Sequence, residues 1–171
     1  PGLKIKNLGG SVIYNEDKTQ IRIFDLQPYT QFVIQLDTLS LDNIAWKIEN
    51  SVIALETVPN QFKTIHIPVK VLGEVSGTVY LKNNTSKNGQ GRITINIYNS
   101  SQTLVKQMLS EGDGYFSFLG LMPGNYTAEI DSNQLDNIGY NASPASIPFT
   151  IEPDEYGDIV DDLEFVLEPK I

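Results

Sequence analysis

The chain has 171 residues, 40% of them hydrophobic, with no cysteine, one histidine and a formal net charge of −9. That length is enough to bury about 70% of the unfolded surface in one or two domains without covalent staples. The missing cysteines exclude disulfides, a thiol nucleophile and thiolate metal sites, and the 12 Lys and Arg, dispersed among 21 Asp and Glu, argue against nucleic acid or an anionic membrane as partner.

No apolar run approaches the ~20 residues of a membrane-spanning helix, so direct membrane insertion is not expected. The sequence opens at Pro1 without an initiator methionine or a signal peptide and reads as a fragment or processed product whose targeting signal lies elsewhere, while the absence of cysteine fits an exported bacterial protein. Nearly every apolar segment alternates with a period of two and is rich in β-branched residues, which predicts an all-β chain. Ser11 to Tyr14 and Gln20 to Phe24 flank the polar turn Asn15-Glu16-Asp17-Lys18 as a first hairpin. After Leu26-Gln27-Pro28, strands are predicted over Gln31 to Leu36, Ile44 to Ile48 and Val52 to Glu56. Over Lys63 to Leu72, Ile65, Ile67, Val69 and Val71 alternate with Thr64, His66, Pro68 and Lys70. Proline cannot donate to a ladder, so Pro68 places this strand at an edge.

Gly73 to Gly77 marks the expected junction between two tandem β-sandwich units, of immunoglobulin-like or transthyretin-like type: residues 1–72, read as truncated or differently wired, and 73–171. In the second unit, strands are predicted from Val75, over Ile93, Ile95 and Ile97, and over Leu104 to Leu109. Gly112-Asp113-Gly114 supplies a tight hairpin turn. Tyr115 to Leu119 and Tyr126 to Ile130 form strands separated by a Pro123-Gly124 turn. Ile147 to Ile151 and Leu163 to Leu167 complete the unit around an acidic loop, and no segment shows a helical period.

An internal echo links the two halves. Leu26-Gln27-Pro28, a strand ending in Asp37, then Leu41-Asp42-Asn43-Ile44 and Trp46 parallel Leu121-Met122-Pro123, a strand ending in Asp131, then Leu135-Asp136-Asn137-Ile138 and Tyr140. Strand propensity does not demand the repeated tetrapeptide, so the echo predicts two related units.

Val75-Ser76-Gly77-Thr78-Val79-Tyr80, the run Gly112-Asp113-Gly114-Tyr115-Phe116 and Leu121-Met122-Pro123-Gly124-Asn125-Tyr126 resemble the carboxypeptidase regulatory-like and collagen-adhesin B-type repeat families over residues 73–169. That resemblance implies a transthyretin-like (prealbumin-like) β-sandwich of an envelope or surface protein. Leu26-Gln27-Pro28-Tyr29, with Val33 to Asp37, resembles the segment after the barrel in fimbrial ushers, although the cysteine pair usual in that family is missing. It implies a C-terminal accessory region of an outer-membrane protein that contacts protein partners, periplasmic or surface-exposed. A spacer or carbohydrate-binding adhesive repeat, with glycans of the envelope as ligand, is the alternative.

B-type repeats often carry a Lys–Asn or Lys–Asp isopeptide bond. On paper Lys82 has Asp161, Asp162 and Glu129 as partners, but no family motif aligns it. His66, the only histidine, stands on the polar side of its strand with no second ligand or serine elbow in the sequence nearby. No catalytic residue or obligatory cofactor is therefore expected. Asp154, Glu155, Asp158, Asp161 and Asp162 are close-spaced hard oxygen ligands, which makes Asp154, Asp158, Asp161 and Asp162 candidate Ca²⁺ ligands, although their spacing is not that of an EF-hand loop. A solvated acidic loop that blunts a strand edge is the plainer reading. Among Tyr14, Phe24, Tyr29, Phe32, Trp46, Tyr80, Tyr98 and Tyr140, the equivalent pair Trp46 and Tyr140 are the candidate ligand-facing aromatics, with core packing as the default role.

Overall fold

The computed structural model describes residues 2–7, 10–83 and 86–170. It is all-β and divides into two compact units, Pro1–Lys70 and Val71–Ile171. The first unit contains β1 (Lys4–Asn7), β2 (Ser11–Tyr14), β3 (Ile21–Phe24), β4 (Gln31–Asp37), β5 (Trp46–Ile48), β6 (Val52–Glu56) and β7 (Val69–Val71), the last ending just past the boundary. β4 is the middle strand of the sheet β1-β4-β6, while β2 with β3 and β5 with β7 form two-stranded pairs. The period of two places Ile34 and Leu36 inward on β4 and leaves Val33 and Gln35 exposed. With Ile48 they form the centre of a small core, against which Leu3, Ile5, Ile23, Leu41, Ile53, Leu55 and Ile67 pack half-buried. In the β2–β3 turn, the Asp17 carboxylate accepts from the Thr19 hydroxyl (2.7 Å) and backbone N–H (3.1 Å), and these bonds hold its pKa below the ordinary value.

The second unit contains β8 (Gly73–Lys82), β9 (Lys87–Gly89), β10 (Thr94–Asn99), β11 (Leu104–Leu109), β12 (Tyr115–Leu121), β13 (Gly124–Ile130), the helix α1 (Ser132–Ile138), β14 (Tyr140–Ser143), β15 (Ser146–Ile151) and β16 (Ile159–Pro169). One sheet has the order β11-β10-β13-β15. The other has the order β12-β8-β16-β14, with β9 added beside β8. Ile95, Ile97, Ala128, Ile130 and Ile151 from the first sheet share one buried cluster with Val75, Val79, Phe116, Phe165 and Leu167 from the second. Two sheets that enclose one apolar cluster make a sandwich.

Four sequence expectations are corrected or refined here. The Gly112–Gly114 turn does not join paired strands: β11 pairs with β10, and β12 pairs with β8 in the other sheet. The Pro123-Gly124 turn likewise crosses from one sheet to the other. Alternation marks a strand but does not choose its partner, and here burial against β8 chose it. Second, the connection after Asp131 is helical. Asp131 accepts from the Gln134 N–H (2.8 Å) as N-cap, and Gly139 closes the helix at φ +74.

Third, the unit boundary falls between Lys70 and Val71, just ahead of the expected Gly73 to Gly77 junction, and Gly73 to Gly77 form the start of β8. A Cβ on Gly77 would lie 2.1 Å from the Leu163 carbonyl oxygen, so this glycine permits close approach of β8 to β16. Fourth, of the alternating run from Lys63 to Leu72, only Val69–Val71 is laddered.

The echo between the halves extends to backbone register. Gln31 pairs with Glu56 and Gln35 with Val52 on β4 and β6, while Asn125 pairs with Thr150 and Glu129 with Ser146 on β13 and β15. Each residue is displaced by the same 94 positions from its counterpart. Asp37 caps a 3₁₀ turn at Thr38–Ser40 as Asp131 caps α1. The Lys4 N–H donates to Ser40 Oγ (2.7 Å), and the Thr94 N–H donates to Gln134 Oε1 (2.7 Å). Lys6 Nζ lies 3.5 Å from Asp37 Oδ1, and Asn96 Nδ2 lies 3.4 Å from Asp131 Oδ2. Trp46 opens β5, and Tyr140 opens β14.

Candidate functional site

The candidate acidic ligands are divided between a loop and a strand. Asp154 Oδ1 accepts from the Tyr156 N–H (2.8 Å), and Asp158 Oδ2 accepts from the Glu152 N–H (2.7 Å), so both carboxylates close turns of the 152–158 loop. Asp161 and Asp162 are exposed on β16, where its register against β8 shifts between Val160 and Leu163. Among the described residues, no three His, Asp or Glu side chains gather into a metal-holding set. His66 is exposed in the segment ahead of β7.

Lys82 Nζ meets Glu168 Oε1 at 2.9 Å, an exposed ion pair that joins β8 to β16. Such a pair contributes little to stability. Of the aromatics, Tyr140 is half-buried and packs against the second unit's core, and Trp46 is half-buried at the start of β5. Phe32 and Tyr98 are also half-buried, whereas Tyr14, Phe24 and Tyr29 are exposed. The Tyr80 ring carries the Lys87 ammonium 4.1 Å from its centroid, and Lys87 also pairs with Glu164 at 2.5 Å.

A feature that sequence reading missed lies at one end of the sheet β11-β10-β13-β15. It is an open depression of roughly 300 Å³, lined by Asn99, Ser100, Gln102, Asn125, Tyr126, Thr127, Pro148, Phe149 and Thr150. Its residues come from the β10–β11 turn, β13 and β15, which are adjacent only after folding. Tyr126 and Phe149 stack beneath it, with ring centroids 5.6 Å apart and an interplanar angle of 22°. The Tyr126 hydroxyl donates to the Met122 carbonyl (2.7 Å), and burial pushes its pKa above the ordinary tyrosine value. Asn99 Oδ1 accepts from the Ser101 and Thr103 N–H groups (3.0 and 2.9 Å), and Asn125 Oδ1 accepts from the Thr150 hydroxyl (2.8 Å). The lining is uncharged, with amide and hydroxyl groups on the outer face of β13 and β15, while the Tyr126 and Phe149 rings belong to the core on the other side. That chemistry suits hydrogen bonding to a neutral polar ligand more than proton transfer.

A family model described as the second β-sandwich domain of BOS complex subunit NOMO1-like proteins matches residues 73–141, less than half of the chain. The comparison with curated proteins gives no match. Among solved structures, the chain is similar to the TIE protein of Bacillus anthracis, at 15% identity and a TM-score of 0.45, over 96% of this chain and 30% of that one. It is also similar to the minor pilin GBS52 of Streptococcus agalactiae, at 15% identity and a TM-score of 0.43, over 88% of this chain and 66% of that one. The shaft pilin SpaA of Lactobacillus rhamnosus GG gives 12% identity and a TM-score of 0.44, over 94% and 70%. The chain thus spans less than a third of the first of these proteins.

Proposed function

We propose that the chain is a non-catalytic pair of tandem β-sandwich modules from a bacterial cell-envelope or cell-surface protein, acting as a spacer with protein-contacting faces. The observation that carries this reading is the repetition: strand register, Asp cap and strand-clamping side chain recur at one fixed displacement. A recurring module with its own core sets distance by its dimensions and leaves its surface free to vary, which is the logic of an array. The resemblance of the second unit to regulatory-like and adhesin B-type repeats supports an envelope setting. Within that setting, an accessory region of an usher-like outer-membrane protein is the more specific assignment, supported by the Leu26–Tyr29 unit followed by the Leu121–Gly124 unit.

Protease shaving of intact cells, followed by mass spectrometry, tests the surface assignment. Peptides from exposed Leu104–Leu109 and the 152–158 loop are expected in the released fraction; their release only after lysis would overturn it.

A carbohydrate-binding role is the second reading, favoured by the uncharged depression at Asn125, Thr127 and Thr150. Glycan-array binding that Thr127→Glu abolishes would support it. Binding lost instead on Trp46→Ala would move the site to the first unit, and no binding to any glycan would remove this reading.

A further inference from the structure

The two units share the pairings around β4 and β5, but β2 pairs with β3 where β11 pairs with β10, and no described strand of the first unit matches β8. By register and caps, β4, β5 and β6 correspond to β13, β14 and β15, and the pairs β1–β4 and β5–β7 correspond to β10–β13 and β14–β16. By chain order, β3 corresponds to β12. In the second unit β8 lies between β12 and β16, antiparallel to one and parallel to the other, and it supplies the fully buried Val75 and Val79. Among the described residues, no strand of the first unit occupies that place.

The consequences are visible where β8 has no counterpart. The run ahead of β7 has strand alternation but no ladder and exposes Phe62 (99%) and Ile65 (41%), and Val69 (43%) is exposed at the start of β7. Among the described residues β3 pairs with β2 alone, and Phe24 at its end is 40% exposed. Among the described residues, the first unit has Ile34, Leu36 and Ile48 in its fully buried cluster, whereas the second has fifteen. A sandwich that lacks its central strand leaves two open edges and a thin core.

We infer that the first unit is completed by an extended strand seated between β3 and the residue 62–71 arm, parallel to that arm, with alternating small and aliphatic residues like those of β8. Its source is polypeptide that leads into β1, because β8 runs through β9 into β10, and β1 is the counterpart of β10. Main-chain pairing on both sides supplies affinity, and the alternate inward side chains supply selectivity.

The test replaces residues 1–3 with a copy of the sequence of residues 73–93, so that the copied strand leads into β1. Trp46, the only tryptophan, reports on the first unit alone. Amide exchange at Ile21–Phe24 and across residues 62–71 is expected to slow about tenfold or more, with a higher urea midpoint by Trp46 fluorescence. A control carrying Val75→Asp and Val79→Asp in the copied strand only should show neither effect. Unchanged exchange, or loss of the native Trp46 signal in the fused chain, overturns the inference. Equal protection by a free peptide of Gly73–Lys82 at micromolar concentration overturns delivery from ahead of β1 and assigns the place to a separate partner.

Discussion

At Tyr126 one side chain joins the core to the turn before it: the ring is buried on Phe149, and the hydroxyl holds the Met122 carbonyl. Tyr126→Phe keeps the ring and removes that bond, so a loss of about 1 kcal/mol is expected by urea denaturation. The sign of the pH dependence follows from burial, which favours the neutral phenol and raises the folded pKa above 10.0. The stabilisation is complete below the unfolded value and is lost as pH rises through the folded one. Absorbance titration at 295 nm should show one late-titrating tyrosine, absent in Tyr126→Phe; titration of all tyrosines together would contradict the buried phenol. Gly77 is constrained differently, because a Cβ there meets the Leu163 carbonyl at 2.1 Å and Phe116 Cζ at 2.7 Å. Gly77→Ala is expected to cost about 3 kcal/mol or more, since strand backbone cannot withdraw as a side chain can. Gly112→Ala, with nothing within 4 Å of the added carbon, should stay within about 0.5 kcal/mol. Equal costs at the two glycines would show that the approach of β8 to β16 is looser than described.

Among the elements, the short helical turn after β4 and the helix after β13 do the same task. Each begins on a capping aspartate, and each returns a side chain to the first laddered N–H of the neighbouring strand. Gln134 does more than Ser40, because its Nε2 also donates to the Arg92 carbonyl (2.8 Å). Gln134→Ala is therefore expected to destabilise by about 1–2 kcal/mol, and Ser40→Ala by about 1 kcal/mol. The Ser40 effect should be read by Trp46 fluorescence and the Gln134 effect by exchange on β10; a silent Gln134→Ala would mean that water replaces the clamp. The helix was legible in the sequence, since aspartate followed by glutamine three residues on and a later glycine is a start-and-stop pattern. It was obscured because seven residues are too few to show a period. The strands themselves were legible from alternation, and so were the β2–β3 and β10–β11 hairpins from the polar turns between them, but partners distant in the chain were not. β12 finds β8 and not β11, because pairing follows which faces can be buried together, and that is a property of the assembled sheets. The depression at Asn125 and Thr150 escaped for the same reason: its residues become neighbours only through the β13–β15 register.

Across the whole molecule, one β plan is realised with two different cores. The second unit buries Phe116, Phe165, Ile95 and Ile97 at 1% exposure or less, and its β8 has neighbours on both sides. The first unit repeats the β4–β6 register and the caps, with half-buried residues in most core positions. Each fully buried aliphatic or aromatic side chain contributes about 1.5–3 kcal/mol relative to exposure, so the difference in buried residues outweighs the similarity of the hydrogen-bond ladders. Ladder bonds add far less each, because unfolding exchanges them for bonds to water. Stability should therefore be distributed unevenly along the chain. In hydrogen exchange, Ile34 and Leu36 on β4 are expected to exchange at least about a hundredfold faster than Ile95, Ile97 and Val79. These amides all lie within sheets, so comparable protection would mean that shared register, and not buried area, sets the opening free energy.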